Sequence, residues 1–141
     1  HGLGTASFLS EAELTRENII RILRLRKSLD INLQFDISSA RLSPEELTKL
    51  ETIASALSGP ELAHTKLLVE GHTDSTGDAN FNRILSQQRA DTVRTLLQDD
   101  YGIAEERMIT LGLGESYPLR GEVDEEALSK NRRVSIFIFD E

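Results

Sequence analysis

The chain has 141 residues, no cysteine and a formal net charge of −8, with 38% hydrophobic and 28% charged residues. That is the balance of one soluble globular domain, large enough to fold without disulfide or metal. The lack of thiols excludes disulfide scaffolds, thiolate metal sites and cysteine nucleophiles. From residue 31 onward 11 basic residues stand against 20 acidic ones. The main body is therefore acidic and repels phosphate backbones, which puts nucleic acid and anionic membrane surfaces last among expected partners. No apolar run approaches the ~20 residues of a membrane span. The chain opens on His1 rather than Met and is read as a piece of a longer protein.

Residues 1–10 are small and polar and read as a frayed tail. Ser10 and Glu13 then have the spacing of a capping box, so a helix is expected over Glu11–Leu29, with apolar residues spread around most of its circumference. It either packs on the domain or acts as a linker helix that pairs with a second copy. The unit boundary is placed there: 1–29 tail and linker helix, 30–141 domain. Ile31–Phe35 alternates apolar and polar residues as a half-buried strand does. Ser43-Pro44-Glu45-Glu46 supplies an N-cap, a proline at the first helical position and first-turn acids, and the helix runs to Gly59-Pro60.

Leu67–Gly71 reads as a short strand, followed by the polar loop His72–Asn80 and a second helix from Phe81 to Asp99. Arg107–Leu111 is expected as a strand, Gly112–Gly121 as a loop and Asp124–Ser129 as a short helix. Val134–Phe139 is apolar on both faces, which predicts a central strand. The order strand, helix, strand, helix, strand, short helix, strand predicts an α/β (α+β) two-layer sandwich, its helices on a mixed sheet and its crossovers right-handed.

The helix 81–99 carries the informative pattern. Counting from Leu85 at 100° per residue, Leu96 falls at about 20°, Arg89 at about 40°, Asn82 at about 60°, Val93 at about 80° and Ser86 at about 100°. The inward face is thus apolar at one end and polar at the other, with a guanidinium turned inward. A buried charge is costly unless paired, so Arg89 needs a carboxylate of the protein or of a ligand. Asp74 lies in the loop before this helix, beyond the end of a strand, and is expected to be solvated. The pair could be a direct ion pair that caps the loop. Alternatively it could recognise a small zwitterion, with Asp74 on an ammonium and Arg89 on a carboxylate.

Gly71-His72-Thr73-Asp74-Ser75-Thr76-Gly77, Asn82 and Leu85-Ser86-Gln87-Gln88-Arg89-Ala90 resemble the signature of the OmpA C-terminal domain family, shared with Pal lipoproteins and MotB-type stator proteins. Gly112-Leu113-Gly114-Glu115, Pro118 and Asn131-Arg132-Arg133-Val134 fit the same pattern. So do Phe35, Ser39-Ala40, Leu42 and Pro44-Glu45 upstream, and the resemblance covers Leu29 to Phe139. It implies a non-enzymatic domain that binds peptidoglycan at the meso-diaminopimelate of the stem peptide and anchors a larger envelope protein in the periplasm, with no cofactor. It assigns the ammonium to Asp74 and the carboxylate to Arg89. Thr73, Asn82, Leu85 and Ser86 line or brace the pocket, and Gly77, Asn131 and Arg133 support it. The helix Glu11–Leu29 lies outside the resemblance and is the candidate for homodimer contacts.

Two other functions fit parts of the sequence. One is an assembly module of an envelope or secretion complex. The other is a metal-dependent hydrolase using His72 and Asp74, with His64 nearby, although a His-x-Asp pair supplies too few ligands for a zinc site. Glu105-Glu106 and Glu125-Glu126 read as solvated surface, as does the basic run Arg21, Arg24, Arg26, Lys27. Gly112-Leu113-Gly114 lacks the third glycine of a dinucleotide fingerprint.

Overall fold

A computed structural model describes residue 10 and residues 12–140; the expected tail over residues 1–9 lies outside them. Four strands form one sheet, β1 (Ser28–Gln34), β2 (Lys66–His72), β3 (Met108–Gly112) and β4 (Arg133–Phe139), in the order β1-β4-β2-β3. β4 is antiparallel to both β1 and β2, while β2 and β3 are parallel. The strand that is apolar on both faces is central, as its pattern requires: Ile136 sits between Ile31 and Val69.

Helices α2 (Pro44–Ser58) and α3 (Ala79–Asp99) connect the parallel-running strands, and α4 (Glu125–Asn131) precedes β4. α3 lies on β2 and β3, while α2 lies on β1. Leu29, Leu33, Val69, Val134, Ile136 and Ile138 meet Leu50, Ile53, Leu57, Val93 and Leu97 in a single core. The result is a two-layer sandwich. Strand alternation puts Asp30, Glu70, His72, Arg133 and Ser135 on the sheet's other face, all of them buried.

Helix α1 spans Arg16–Arg26, shorter at both ends than the sequence suggested. Ser10 and Glu13 do exchange the two capping-box bonds, but Thr15 caps the helix, its hydroxyl accepting from the Asn18 N–H at 3.1 Å. Lys27, in the left-handed region at φ 63°, ends it, and Ser28 and Leu29 already belong to β1. Ile19, Ile20 and Leu23 are buried in the common core, so the apolar side of α1 is turned onto its own domain. Arg16 pairs with Glu61 in the 3-10 turn Pro60–Leu62 ahead of β2, and the Lys27 carbonyl accepts from the Asp140 N–H. α1 therefore crosses the end of the sheet where β1 and β2 begin.

Arg107 is not a strand residue. It closes the 3-10 turn Glu105–Arg107, and its guanidinium donates to the Leu57, Leu62 and Thr65 carbonyls, along the segment from the last turn of α2 to the start of β2. No helix among the described residues is long and apolar enough to cross a membrane.

Candidate functional site

The site lies where β1 and β2 end. Asp78 caps α3, accepting from the Phe81 N–H at 2.9 Å, and Gly77 makes the preceding turn at φ +86°, where a side chain is strained. α3 comes unusually close to the sheet because Gly71 and Gly112, register partners on β2 and β3, lie beneath it. A Cβ on Gly71 would stand 1.7 Å from the Ser86 carbonyl oxygen, and one on Gly112 would stand 2.7 Å from the Gln87 nitrogen. This approach lets the Ser86 hydroxyl accept from the Gly114 N–H at 2.9 Å. It also carries Arg89 under the loop.

Arg89 is fully buried. The sequence left its partner open between a protein carboxylate and a ligand; within the protein, backbone carbonyls rather than a carboxylate meet it. Nε donates to the Ser39 carbonyl at 2.7 Å, Nη1 to the His72 carbonyl at 2.9 Å and Nη2 to the Asp36 carbonyl at 3.0 Å. The guanidinium stacks 5.3 Å from the centre of the Phe35 ring. Burial lowers its pKa to about 10, with Asp74 opposing and Arg132 adding to the shift. Three of the five guanidinium N–H donors are used on backbone, leaving one on each terminal nitrogen.

Asp74 is not the solvated loop carboxylate expected, nor is it ion-paired to Arg89. It is 6% exposed, and Oδ2 accepts from Arg132 Nη1 at 2.9 Å. Oδ1 accepts from the Thr76 hydroxyl at 2.5 Å and the Thr76 N–H at 3.0 Å. Burial alone would raise the carboxyl, but the bonds from Thr76 and Arg132 outweigh it and hold the pKa below the ordinary carboxylate value. Arg132 also reaches Glu125 at 3.1 Å, so Glu125 joins this network while staying exposed, as its reading as surface expects.

Asp74, Arg89 and Arg132 line a pocket of about 150 Å³ together with Thr73, Asn82 and Leu85. Ile37, Ser38 and Phe81 complete its rim. The Thr73 hydroxyl oxygen is buried and has no partner. Asn82 donates to the Thr76 carbonyl at 3.0 Å and to Glu115 at 2.9 Å, bracing the loop. Ser86 stands behind the pocket, on Gly114. Asn131 is fully buried and makes four bonds: two accepted from the Leu119 and Arg120 N–H groups, two donated to the Arg120 carbonyl and Glu122. Arg133 lies on the far face of the sheet and bonds Ser135 and the Tyr117 carbonyl.

Arg132 was missing from the sequence-based site, though a signal existed. Val134, Ile136 and Ile138 face the helices, so strand parity puts Arg132 on the pocket side and Arg133 on the other. Parity alone would put His72 and Asp74 on one face, but β2 ends at His72 and the loop beyond it carries Asp74 into the pocket. The His72 ring turns to Glu70 at 3.4 Å on the opposite face, and His64 pairs with Asp140 beyond the end of β4. Among the described residues no group of three or more His, Cys, Asp or Glu is placed to hold a metal ion.

The profile of the OmpA family matches residues 34–132. Among curated proteins, the probable lipoprotein YiaD of Escherichia coli strain K12 is 41% identical over 105 residues, covering 74% of this chain. The chain spans 47% of the length of YiaD. Among solved structures, the peptidoglycan-associated lipoprotein from Burkholderia pseudomallei is similar with a TM-score of 0.70 at 27% identity, covering 76% of this chain and 88% of that one. The cell wall anchor of the T6SS from Pseudomonas aeruginosa is similar with a TM-score of 0.67 at 26% identity, covering 87% and 94%.

Proposed function

The chain belongs to the OmpA family, and from that premise we propose that it binds peptidoglycan without cleaving it, gripping the free amino-acid end of meso-diaminopimelate in the stem peptide. Asp74 takes the ammonium. The two uncommitted N–H donors of Arg89 take the carboxylate as a parallel pair. The unpartnered Thr73 hydroxyl and the first turn of α3 lie beside the same group. The observation that carries this reading is the placement of a buried carboxylate and a buried guanidinium in one small pocket, each held by the protein but neither exhausted by it.

Similarity to a peptidoglycan-associated lipoprotein and to a cell wall anchor supports an envelope role. On this reading the domain works in the periplasm as the wall-binding part of an envelope-anchored protein. It is a binding module rather than an enzyme, in keeping with its family, and Asp74 serves it as an ion-pairing group held by Thr76 and Arg132.

Calorimetry with two muropeptides tests the proposal, one carrying meso-diaminopimelate and one carrying lysine at that position. Lysine lacks the second carboxylate and leaves the Arg89 donors unmet. A lost charged partner in a desolvated site costs about 2–5 kcal/mol, so binding of the lysine peptide should fall by at least about thirtyfold. Equal affinity would overturn the assignment.

A further inference from the structure

Two separate tethers join the dipeptide Asp74-Ser75 to the dipeptide Asn131-Arg132. The first is the ion pair of Asp74 with Arg132. The second runs through Glu122. Both its carboxylate oxygens accept from the Ser75 N–H at 3.2 Å, one accepts from the Ser75 hydroxyl, and Oε2 accepts from Asn131 Nδ2 at 2.9 Å. Together with the two peptide links, these contacts close a ring around the back of the pocket. Each partner of Glu122 in it donates, and a carboxylate meets all of them with two acceptors.

We propose that Glu122 is a positioning residue for ligand recognition, holding the Asp74 backbone in place when the Asp74 carboxylate is shared with an incoming cation. The logic is competitive. A ligand ammonium draws on the same carboxylate that bonds Arg132, so ligand binding weakens the first tether. The second is untouched by ligand, because Glu122 does not line the pocket. It keeps Ser75, and through it Asp74, within the few tenths of an ångström that a charged contact demands. Asn131 makes the support stiff: it is fully buried and fastens Leu119 and Arg120 as well as Glu122.

This inference rests on the peptidoglycan reading, and its test separates the two. Affinity for the meso-diaminopimelate muropeptide is measured by calorimetry for wild type, Glu122→Ala, Glu122→Gln, Asp74→Asn and the double variant Glu122→Ala/Asp74→Asn. Urea midpoints are taken without ligand. Glu122→Ala is expected to lose about tenfold in affinity with little change in midpoint. Glu122→Gln should fall between wild type and Glu122→Ala, since its amide nitrogen can still donate to the Ser75 hydroxyl but only one acceptor is left for Ser75 N–H and Asn131 Nδ2. The double variant should bind no worse than Asp74→Asn alone, because Glu122 acts through Asp74.

Amide exchange at Ser75 in the free protein provides a second measurement, and the Glu122 variants should exchange faster there. Wild-type affinity in both Glu122 variants, or losses that simply add to that of Asp74→Asn, would overturn the positioning role while leaving the pocket assignment intact. Wild-type affinity in Asp74→Asn would overturn both.

Discussion

Arg89→Ala probes whether the buried guanidinium serves the fold as well as a ligand. In the absence of ligand it removes three charge-assisted bonds, to the Ser39, His72 and Asp36 carbonyls. At about 1.5–3 kcal/mol each these total roughly 5–9 kcal/mol. Against this stands the cost of burying the charge. Burial lowers its pKa from the ordinary guanidinium range to about 10, which corresponds to about 3 kcal/mol. The expected net loss is about 2–6 kcal/mol, with the centre near 4. The bonds also tie the β1–α2 loop to the end of β2, so the loss should appear as global destabilisation rather than loop fraying. With an m-value of about 1.5 kcal/mol/M for a domain of this size, the urea midpoint should fall by roughly 2–3 M. Arg89→Lys keeps the charge but not the three-way fork, and should fall between. A midpoint for Arg89→Ala within about 0.5 M of wild type would refute the reasoning and leave Arg89 as a group held for ligand alone.

Asp74→Ala is expected to cost about 2–3 kcal/mol in the ligand-free protein, because it strips a buried Arg132 of one of its two carboxylates; denaturant midpoints measure it, and a loss below about 0.5 kcal/mol would mean the ion pair is idle. Asp30 is buried on the far face of the sheet, and burial lifts its pKa from 3.8 to about 6, with Arg133 opposing and Glu70 adding to the rise. Its folded pKa lies above its unfolded one, so its stabilising contribution is complete below pH 3.8 and lost as pH rises through 6. Asp30→Asn should therefore match wild type near pH 3.5 and exceed it by up to about 3 kcal/mol at pH 8. His72, lowered by burial despite its bond to Glu70, drives the opposite trend below pH 6.5, so the difference between variant and wild type is the quantity to follow. Gly71→Ala forces a methyl group into the Ser86 carbonyl and should destabilise by about 3 kcal/mol or more, with loss of the Ser86–Gly114 bond visible as faster exchange of the Gly114 amide.

Elements with strong local signals were legible from the chain. Ser43-Pro44 fixed the start of α2, and the two-faced apolar run 134–139 placed β4 at the centre. Element ends decided by tertiary contacts were not. Lys27 ends α1 in a left-handed turn that its side chain does not advertise. Arg107 ends a 3-10 turn instead of opening the strand, its guanidinium spent on three carbonyls between the last turn of α2 and the start of β2. At the site, helical spacing correctly turned Arg89 inward, but spacing cannot name a backbone carbonyl as partner. Asp74 was read as solvated for the same reason: its partner, Arg132, is 58 residues away in sequence. Strand parity could have supplied it. Glu122 carries no local signal, since its partners Ser75 and Asn131 meet it only when the loop folds across β4.

The placement of α1 at the end of the sheet away from the pocket has a mechanical consequence. A pull applied through Thr15 against the pocket end of the sheet meets α1 first. Its eleven residues span about 16 Å as a helix and about 36 Å when drawn out. Peeling it away exposes Ile19, Ile20 and Leu23, at a cost of about 5 kcal/mol or more, while β1 remains zipped to β4. Under such a pull the helix is a fuse in series with the sheet: it yields about 20 Å of chain before load reaches the strands that carry the pocket.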